Sequence, residues 1–416
     1  MTRLSVFHFL LAILLLTTSC TTPAPSSPIP TPSIPPGVNI IFPTEPPACT
    51  TITTAPTPKP KDSIIFPTEN AEDRVRGAET PSVTILEYSD YADSRSALFA
   101  ETTSQLLAEH PNNVRVVSRV FPLLGENPNA ALSALAAQAA EAAAEQGKFW
   151  EMHDLLYSQQ ANWISLSAEA FEQWLTAQAS GLGMDAERFR SDLKRDGIVA
   201  KIQKAWSEGQ LMGLPGTPLV LINGQIYGGP RDHASMDNIV RLIALGRRQF
   251  ESCPPLTVDK NRQYLATLRT EKGNVVIQLF ADKAPSTVNS FIFLAQNGWY
   301  DGITFHRVIP EVYAQTGDPS GTGKGNPGYY VITEILPTLT FNQPGRVAMV
   351  NSGPDTSGSQ FFITFQPIPE YDGQYTIFGQ VLSGMEALQS LTARDAQSGV
   401  ETPPGDTLIS VTIEEK

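Results

Sequence analysis

The rhythm of apolar and polar positions changes several times along the chain. Leu10-Leu11-Ala12-Ile13-Leu14-Leu15-Leu16 is an unbroken apolar run, too short for the roughly 20 residues that span a bilayer. Residues 21–60 carry few apolar positions and many Pro, Thr and Ser, a composition that builds no packed core and reads as an extended tether. From about 72 to 250 the pattern is globular. Val83-Thr84-Ile85-Leu86-Glu87-Tyr88 suits a buried strand, an Ala-rich helix is predicted over 129–146, and amphipathic helical segments continue to about 210. Leu219-Val220-Leu221-Ile222 and Gln225-Ile226-Tyr227 flank Asn223-Gly224, the strongest short hairpin signal. From 263 onward short alternating runs dominate. Tyr264–Thr270 and 275–280 around the turn Glu271-Lys272-Gly273-Asn274 predict a hairpin, and 287–296 predicts one amphipathic helix. Further short strands with Gly- and Pro-rich turns run to the end and predict a closed antiparallel barrel.

Length and composition fit two domains behind a leader and a tether: 416 residues, 41% hydrophobic and 17% charged, values usual for globular cores. A formal charge of −13 argues against nucleic-acid partners, because phosphate binding needs clustered Lys and Arg. The five histidines are scattered, and none pairs with a cysteine or a carboxylate at ligand spacing, so no metal and no other cofactor is expected. Ile40-Ile41-Phe42-Pro43-Thr44-Glu45 recurs as Ile64-Ile65-Phe66-Pro67-Thr68-Glu69. This repeat is either duplicated linker or a pair of short strands that dock on the folded domain.

Arg3 ahead of the apolar run and Thr17-Thr18-Ser19-Cys20 after it complete a signal peptide. The small residues before Cys20 resemble a bacterial lipoprotein cleavage site, although Leu16 stands one position further from the cysteine than that pattern usually has it. The resemblance implies a leader over 1–19, lipidation of Cys20 and a tether over 20–71. The protein would then sit outside the cytoplasm, held to a membrane through the lipid. The other arrangement, a cleaved signal peptide in which Cys20 has no role, exports the chain as well. The remaining cysteines, Cys49 and Cys253, stand just before and just after one predicted domain. Domain termini often lie close together, so in an oxidising compartment the two either bond or remain free thiols. A bond closing so long a loop has a nominal chain-entropy gain of about 4–5 kcal/mol.

Two segments of the central region, Leu86-Glu87-Tyr88-Ser89-Asp90-Tyr91-Ala92-Asp93-Ser94-Arg95-Ser96 and Gly216-Thr217-Pro218-Leu219-Val220-Leu221-Ile222-Asn223-Gly224, resemble the thioredoxin-fold disulfide oxidoreductases that carry a helical insertion. Gln146-Gly147-Lys148-Phe149-Trp150-Glu151-Met152-His153 is similar to that insertion. The resemblance implies an α/β thioredoxin-like domain over 72–252. That family places Cys-x-x-Cys at a helix N-terminus, where a stabilised thiolate attacks disulfides. Here the two positions hold Asp93 and Ser96, which form no disulfide, so a redox-inactive domain is expected. Asp93 suits the N-cap of the following helix. Pro218 matches the family's cis-proline, and its role is either to fix a turn or to keep a peptide cleft.

The C-terminal region resembles the cyclophilins over essentially all of 257–416. The motifs are Phe305-His306-Arg307-Val308-Ile309-Pro310 leading to Gln315-Thr316-Gly317-Asp318, then Met349-Val350-Asn351-Ser352-Gly353-Pro354 running to Ser359-Gln360-Phe361-Phe362-Ile363, then Tyr371-Asp372-Gly373-Gln374-Tyr375-Thr376-Ile377-Phe378-Gly379. The helix Ala284-Pro285-Ser286-Thr287-Val288-Asn289 matches too. The resemblance implies a proline cis/trans isomerase of closed-barrel fold, with Arg307 as the catalytic cation, Gln315 orienting it and Phe362 as the floor of the proline pocket. Met349 packs nearby, Val350 and Asn351 hold the substrate chain, and Gln360 lies on the rim. By the same resemblance Gly321-Thr322-Gly323-Lys324-Gly325 is a turn of the barrel, not a phosphate loop. The chain departs from the family at Val312, where a Phe is usual, at Tyr313 for Met, at Glu370 for a frequent rim indole, and at Tyr375 for a common His; Tyr371 lies between the last two. These changes predict less apolar contact in the pocket, reduced activity and altered peptide preference.

Two functions follow from the resemblance. One is an exported, lipid-anchored isomerase assisting folding, whose clients are unfolded or proline-containing polypeptides. The other is a non-catalytic chaperone or scaffold that holds peptides. A thiol oxidoreductase is excluded at Asp93 and Ser96.

Overall fold

The structure, a computed structural model, describes residues 48–52, 66–125, 127–398 and 402–416. The leader, Cys20 and the first copy of the repeat lie outside the described residues. After Cys49–Thr51 (β1), the chain runs through Arg74–Gly77 (β2), Val83–Ser89 (β3), Ser94–Glu109 (α1) and Val114–Val120 (β4). A helical block follows: Ala130–Ala144 (α2), Phe149–Ser158 (α3), Gln160–Trp163 (α4), Ala168–Gly181 (α5), Ala186–Leu193 (α6) and Asp196–Met212 (α7). Leu219–Ile222 (β5), Gln225–Ile226 (β6) and His233–Leu245 (α8) complete this domain.

Its sheet has the order β2-β4-β3-β5-β6, with β3 and β4 parallel and the other neighbours antiparallel. The central strand is covered on both faces, which explains the near-continuous apolar run of β3. In α2, Ala136, Ala139, Ala140 and Ala143 are fully buried, and their small side chains let the helical block close over them. The β5–β6 turn has positive φ at Asn223 (49°) and Gly224 (80°), the requirement of a tight hairpin turn. The second copy of the repeat enters this core through Phe66, whose ring meets Tyr88 edge-on at 6.1 Å.

The second domain comprises Tyr264–Thr270 (β7), Gly273–Leu279 (β8), Pro285–Gln296 (α9), Ile303–Thr304 (β9), Arg307–Ile309 (β10), Tyr313–Thr316 (β11), Tyr329–Val331 (β12), Arg346–Met349 (β13) and Phe361–Thr364 (β14). A 3-10 turn at Pro369–Tyr371 precedes Ile377–Ser383 (β15), Met385–Gln389 (α10), Arg394–Asp395 (β16) and Thr407–Glu415 (β17). The main sheet reads β16-β10-β11-β14-β13-β15-β8-β7-β17-β9. The expected closed barrel is therefore corrected: this sheet curls but stays open, because its two end strands, β16 and β9, share no ladder. Each is only two residues long, and Phe305 and His306 interrupt the run between β9 and β10.

The stretch read as tether supplies a strand to this second domain. β1 pairs antiparallel with β12, Cys49 opposite Val331 and Thr51 opposite Tyr329. Of the two arrangements open in the sequence, the structure has the Cys49–Cys253 bond, with Cα atoms 5.9 Å apart. From the other flank, Phe250 packs its ring against Phe293, Trp299 and Tyr329. Among the described residues no helix is long and apolar enough to cross a membrane.

Candidate active site

Which side chains meet on a sheet is set by ladder register, because successive residues point to opposite faces. β10 sets Arg307 opposite Gln315, β11 sets Gln315 opposite Phe362, and β13 sets Ala348 opposite Phe362. On the far side of β10, β16 sets Asp395 opposite Arg307. Asp395, Arg307, Gln315, Phe362 and Ala348 thus form one row across five strands. Met349 is opposite Phe361 and belongs to the interior core on the other face. Its expected place beside the proline pocket is corrected: one step of the strand alternation turns it away from Phe362.

Phe362, 4% exposed, is surrounded by aromatic rings. Phe341 stacks on it at 5.9 Å, Tyr313 tilts against it at 5.6 Å, and Tyr371 and Tyr375 present edges at 5.8 and 5.3 Å. Val312, Val350 and Ile309 cover the flank of this cluster. The Arg307 guanidinium carbon lies 5.7 Å from the centre of the Tyr313 ring, a cation–π arrangement. The partly exposed cation and the apolar ring surface are thereby contiguous.

Gln315 is buried, and its amide nitrogen donates to Gln360 Oε1 at 3.0 Å and lies 3.2 Å from His306 Nε2. Gln360 in turn donates to the Gly325 carbonyl at 2.9 Å. Burial pushes the His306 imidazole down to about 4, against the pull of Asp318. At neutral pH it is therefore uncharged. Arg307 itself donates through Nε to Asp395 Oδ2 at 3.1 Å. Burial also raises the Tyr313 and Tyr371 phenols above their ordinary range, which keeps both neutral hydrogen-bonding groups.

The rim is built from turns. Asn351 Nδ2 donates to the Gln374 carbonyl at 2.9 Å and Gln374 Nε2 to the Glu370 carbonyl at 2.6 Å, so the loop after β13 braces the turn that carries Tyr371 and Tyr375. Glu370 itself is exposed. Asp395 and Phe341 were not legible as site residues. No motif surrounds either one, and only the fold brings them to Arg307 and Phe362.

In the first domain, Asp93 caps α1 through the Arg95 N–H, and its Oδ2 accepts from Ser96 Oγ at 3.1 Å and Thr217 Oγ1 at 2.9 Å. The Thr217–Pro218 bond is cis. A hydrogen-bonded knot thus occupies the two positions where the resembled family has thiols. Elsewhere, Glu109, His110 and Asp237 bring ligand-type atoms within 4.8 Å. Asp237 is already engaged by His110 at 2.7 Å and by the Arg241 guanidinium at 2.8 Å.

Residues 265–413 match the family model described as cyclophilin type peptidyl-prolyl cis-trans isomerase, and residues 69–241 match one described as thioredoxin. A peptidyl-prolyl cis-trans isomerase-like 1 protein of Aspergillus fumigatus is 46% identical over 125 residues, covering 29% of this chain and 78% of the relative. A peptidyl-prolyl cis-trans isomerase of Helicobacter pylori is 41% identical over 132 residues, covering 31% of this chain and 81% of the relative. Among solved structures, a cyclophilin-type isomerase of Cryptosporidium parvum aligns at 31% identity over 37% of this chain and 98% of its own, with a TM-score of 0.34.

Proposed function

The chain belongs to the family of cyclophilin-type peptidyl-prolyl cis-trans isomerases, and from that membership we propose that its C-terminal domain rotates X-Pro bonds of exported polypeptides through Arg307. Amide resonance imposes a barrier of roughly 18–20 kcal/mol on that rotation. Twisting the bond breaks the resonance and leaves a lone pair on the prolyl nitrogen. A donor that reaches this nitrogen only in the twisted state binds the transition state more tightly than either planar form, which is what lowers the barrier. A guanidinium suits this role because it stays charged and carries several donors in a rigid plane.

The observation that carries the reading is the row in which Arg307, Gln315 and Phe362 lie side by side, with Tyr313 joining the cation to the aromatic cluster. A proline ring resting on that cluster puts its imide nitrogen beside the cation. The first domain, with Asp93 and Ser96 in place of thiols, serves to hold clients and not to exchange their disulfides. Export rests on the leader sequence and is supported by the Cys49–Cys253 bond, which belongs to oxidising compartments. The anchor rests on Cys20.

Two experiments test this. In a protease-coupled assay with a chromogenic proline tetrapeptide, Arg307→Ala is expected to lower kcat/KM by about 100-fold or more. A variant that keeps the wild-type rate overturns the mechanism. Cells labelled with radioactive palmitate are expected to mark the protein but not Cys20→Ser; an unlabelled wild type overturns the anchor.

A further inference from the structure

We propose that Asp395 is a positioning residue for this isomerisation, its carboxylate fixing the plane of the Arg307 guanidinium; the proposal rests on the reading of Arg307 given above. Arg307 and Asp395 are direct cross-strand partners, and Arg307 Nε donates to Asp395 Oδ2 at 3.1 Å. The acid is itself held on two sides. Its Oδ1 accepts the Gln397 N–H at 3.0 Å, and the Ala396 N–H is tied to the His306 carbonyl at 3.1 Å. The short strand β16 therefore presents a carboxylate of fixed direction to the one nitrogen of the guanidinium that lies nearest the side chain's stem.

That choice of nitrogen matters chemically. A bidentate pair would engage the terminal nitrogens that a substrate must reach. An acceptor at Nε instead selects the rotamer without engaging the outer edge formed by the two Nη groups. The Tyr313 ring at 5.7 Å limits tilting of the plane. The amide nitrogen of Gln315, the residue expected to do this, faces Gln360 and His306, while the Arg307 Nε–H goes to Asp395. A long side chain loses much rotational freedom when it is held, and a donor accelerates a reaction only if that ordering precedes the transition state. Asp395 performs the ordering within the fold, before substrate arrives.

A partly exposed ion pair contributes little to stability, so the two roles separate experimentally. In the full chain, Asp395→Ala is expected to lower kcat/KM about tenfold, while the melting temperature stays within about 2 °C. Asp395→Asn keeps an acceptor oxygen and is expected to lose only about threefold; it also carries the comparison should the alanine variant fold poorly. In an Arg307→Ala background, Asp395→Ala is expected to cost nothing further, since the group it acts through is gone. By NMR, the Arg307 Nε proton is expected to exchange faster with water in Asp395→Ala. A wild-type rate for Asp395→Ala, or a loss that persists without Arg307, overturns the role of Asp395 and leaves the Arg307 reading intact. A wild-type rate for Arg307→Ala overturns both.

Discussion

A cation beside a proline pocket is useful only in proportion to the apolar surface that holds the ring against it. At the residue scale this chain keeps the cation and alters the surface. Val312 stands at the flank of the Phe362 cluster, where the resembled family usually has Phe, while Tyr313, Tyr371 and Tyr375 crowd Phe362 from three sides. A larger ring at 312 can grow from a partly exposed position without invading the core. Val312→Phe is therefore expected to add about 1–2 kcal/mol of apolar contact and to raise kcat/KM by roughly 5- to 30-fold, mostly through KM. Peptide titrations and steady-state kinetics check this; an unchanged KM would place the proline ring elsewhere than on this flank. Single residues were legible to differing depths. Arg307, Gln315 and Phe362 stand inside contiguous motifs, and the register brings those three into one row. Asp395 stands 88 positions from Arg307 in a segment without a motif, and Met349 shares a motif with the site while facing the interior, a distinction of one residue that only the ladder settles.

At the scale of elements, the strands with regular alternation were readable and the ends of the sheet were not. The β7–β8 and β5–β6 hairpins follow from alternating runs around turn residues, and β3 from its apolar run. Closure of the second sheet could not be read, because it depends on whether two-residue strands meet. β3 carries one cost in its own pattern, a carboxylate at Glu87 that is 1% exposed. Burial raises its pKa from 4.5 to about 7, and Arg76 and Ser118 pull it down without reversing the shift. The folded state thus holds a proton there that the unfolded chain releases near 4.5. Stability contributed by this group is full below about pH 4.5 and is lost as pH rises through about 7. Glu87→Gln is expected to flatten that fall and to stabilise the protein above pH 7 by up to roughly 3 kcal/mol. Denaturant melts of both proteins at pH 5 and pH 8 measure it; equal gains at the two pH values would mean that the carboxylate does not titrate in this window.

At the scale of the whole molecule, the two domains are tied by more than the segment between them. Residues 48–52 precede the first domain in sequence yet pair with β12 of the second, and the Cys49–Cys253 bond closes a span of 204 residues that contains the entire first domain. A three-residue strand in Pro- and Thr-rich sequence has no periodicity to betray it, so its docking was illegible, while the cysteines flanking the domain were visible but left two arrangements open. The physical consequence is that the first domain cannot unfold without its ends remaining fastened to the second. In the chain-entropy account, removing such a bond releases about 5 kcal/mol of constraint on the unfolded ensemble. Cys49→Ser with Cys253→Ser is therefore expected to lower the melting temperature by roughly 10 °C or more, and dithiothreitol to do the same to the wild type. Isomerase activity well below that transition is expected to stay within about twofold, because β1 is paired with β12 and not with the five strands that hold the Asp395–Ala348 row, so its loosening leaves the ladders around Arg307 in place. Calorimetry and the peptide assay on the same samples separate the two effects. An unchanged melting temperature would show that the bond constrains nothing the fold does not already hold, and a lost rate in a still-folded protein would mean that the β1–β12 pair reaches the active site through a route other than the sheet.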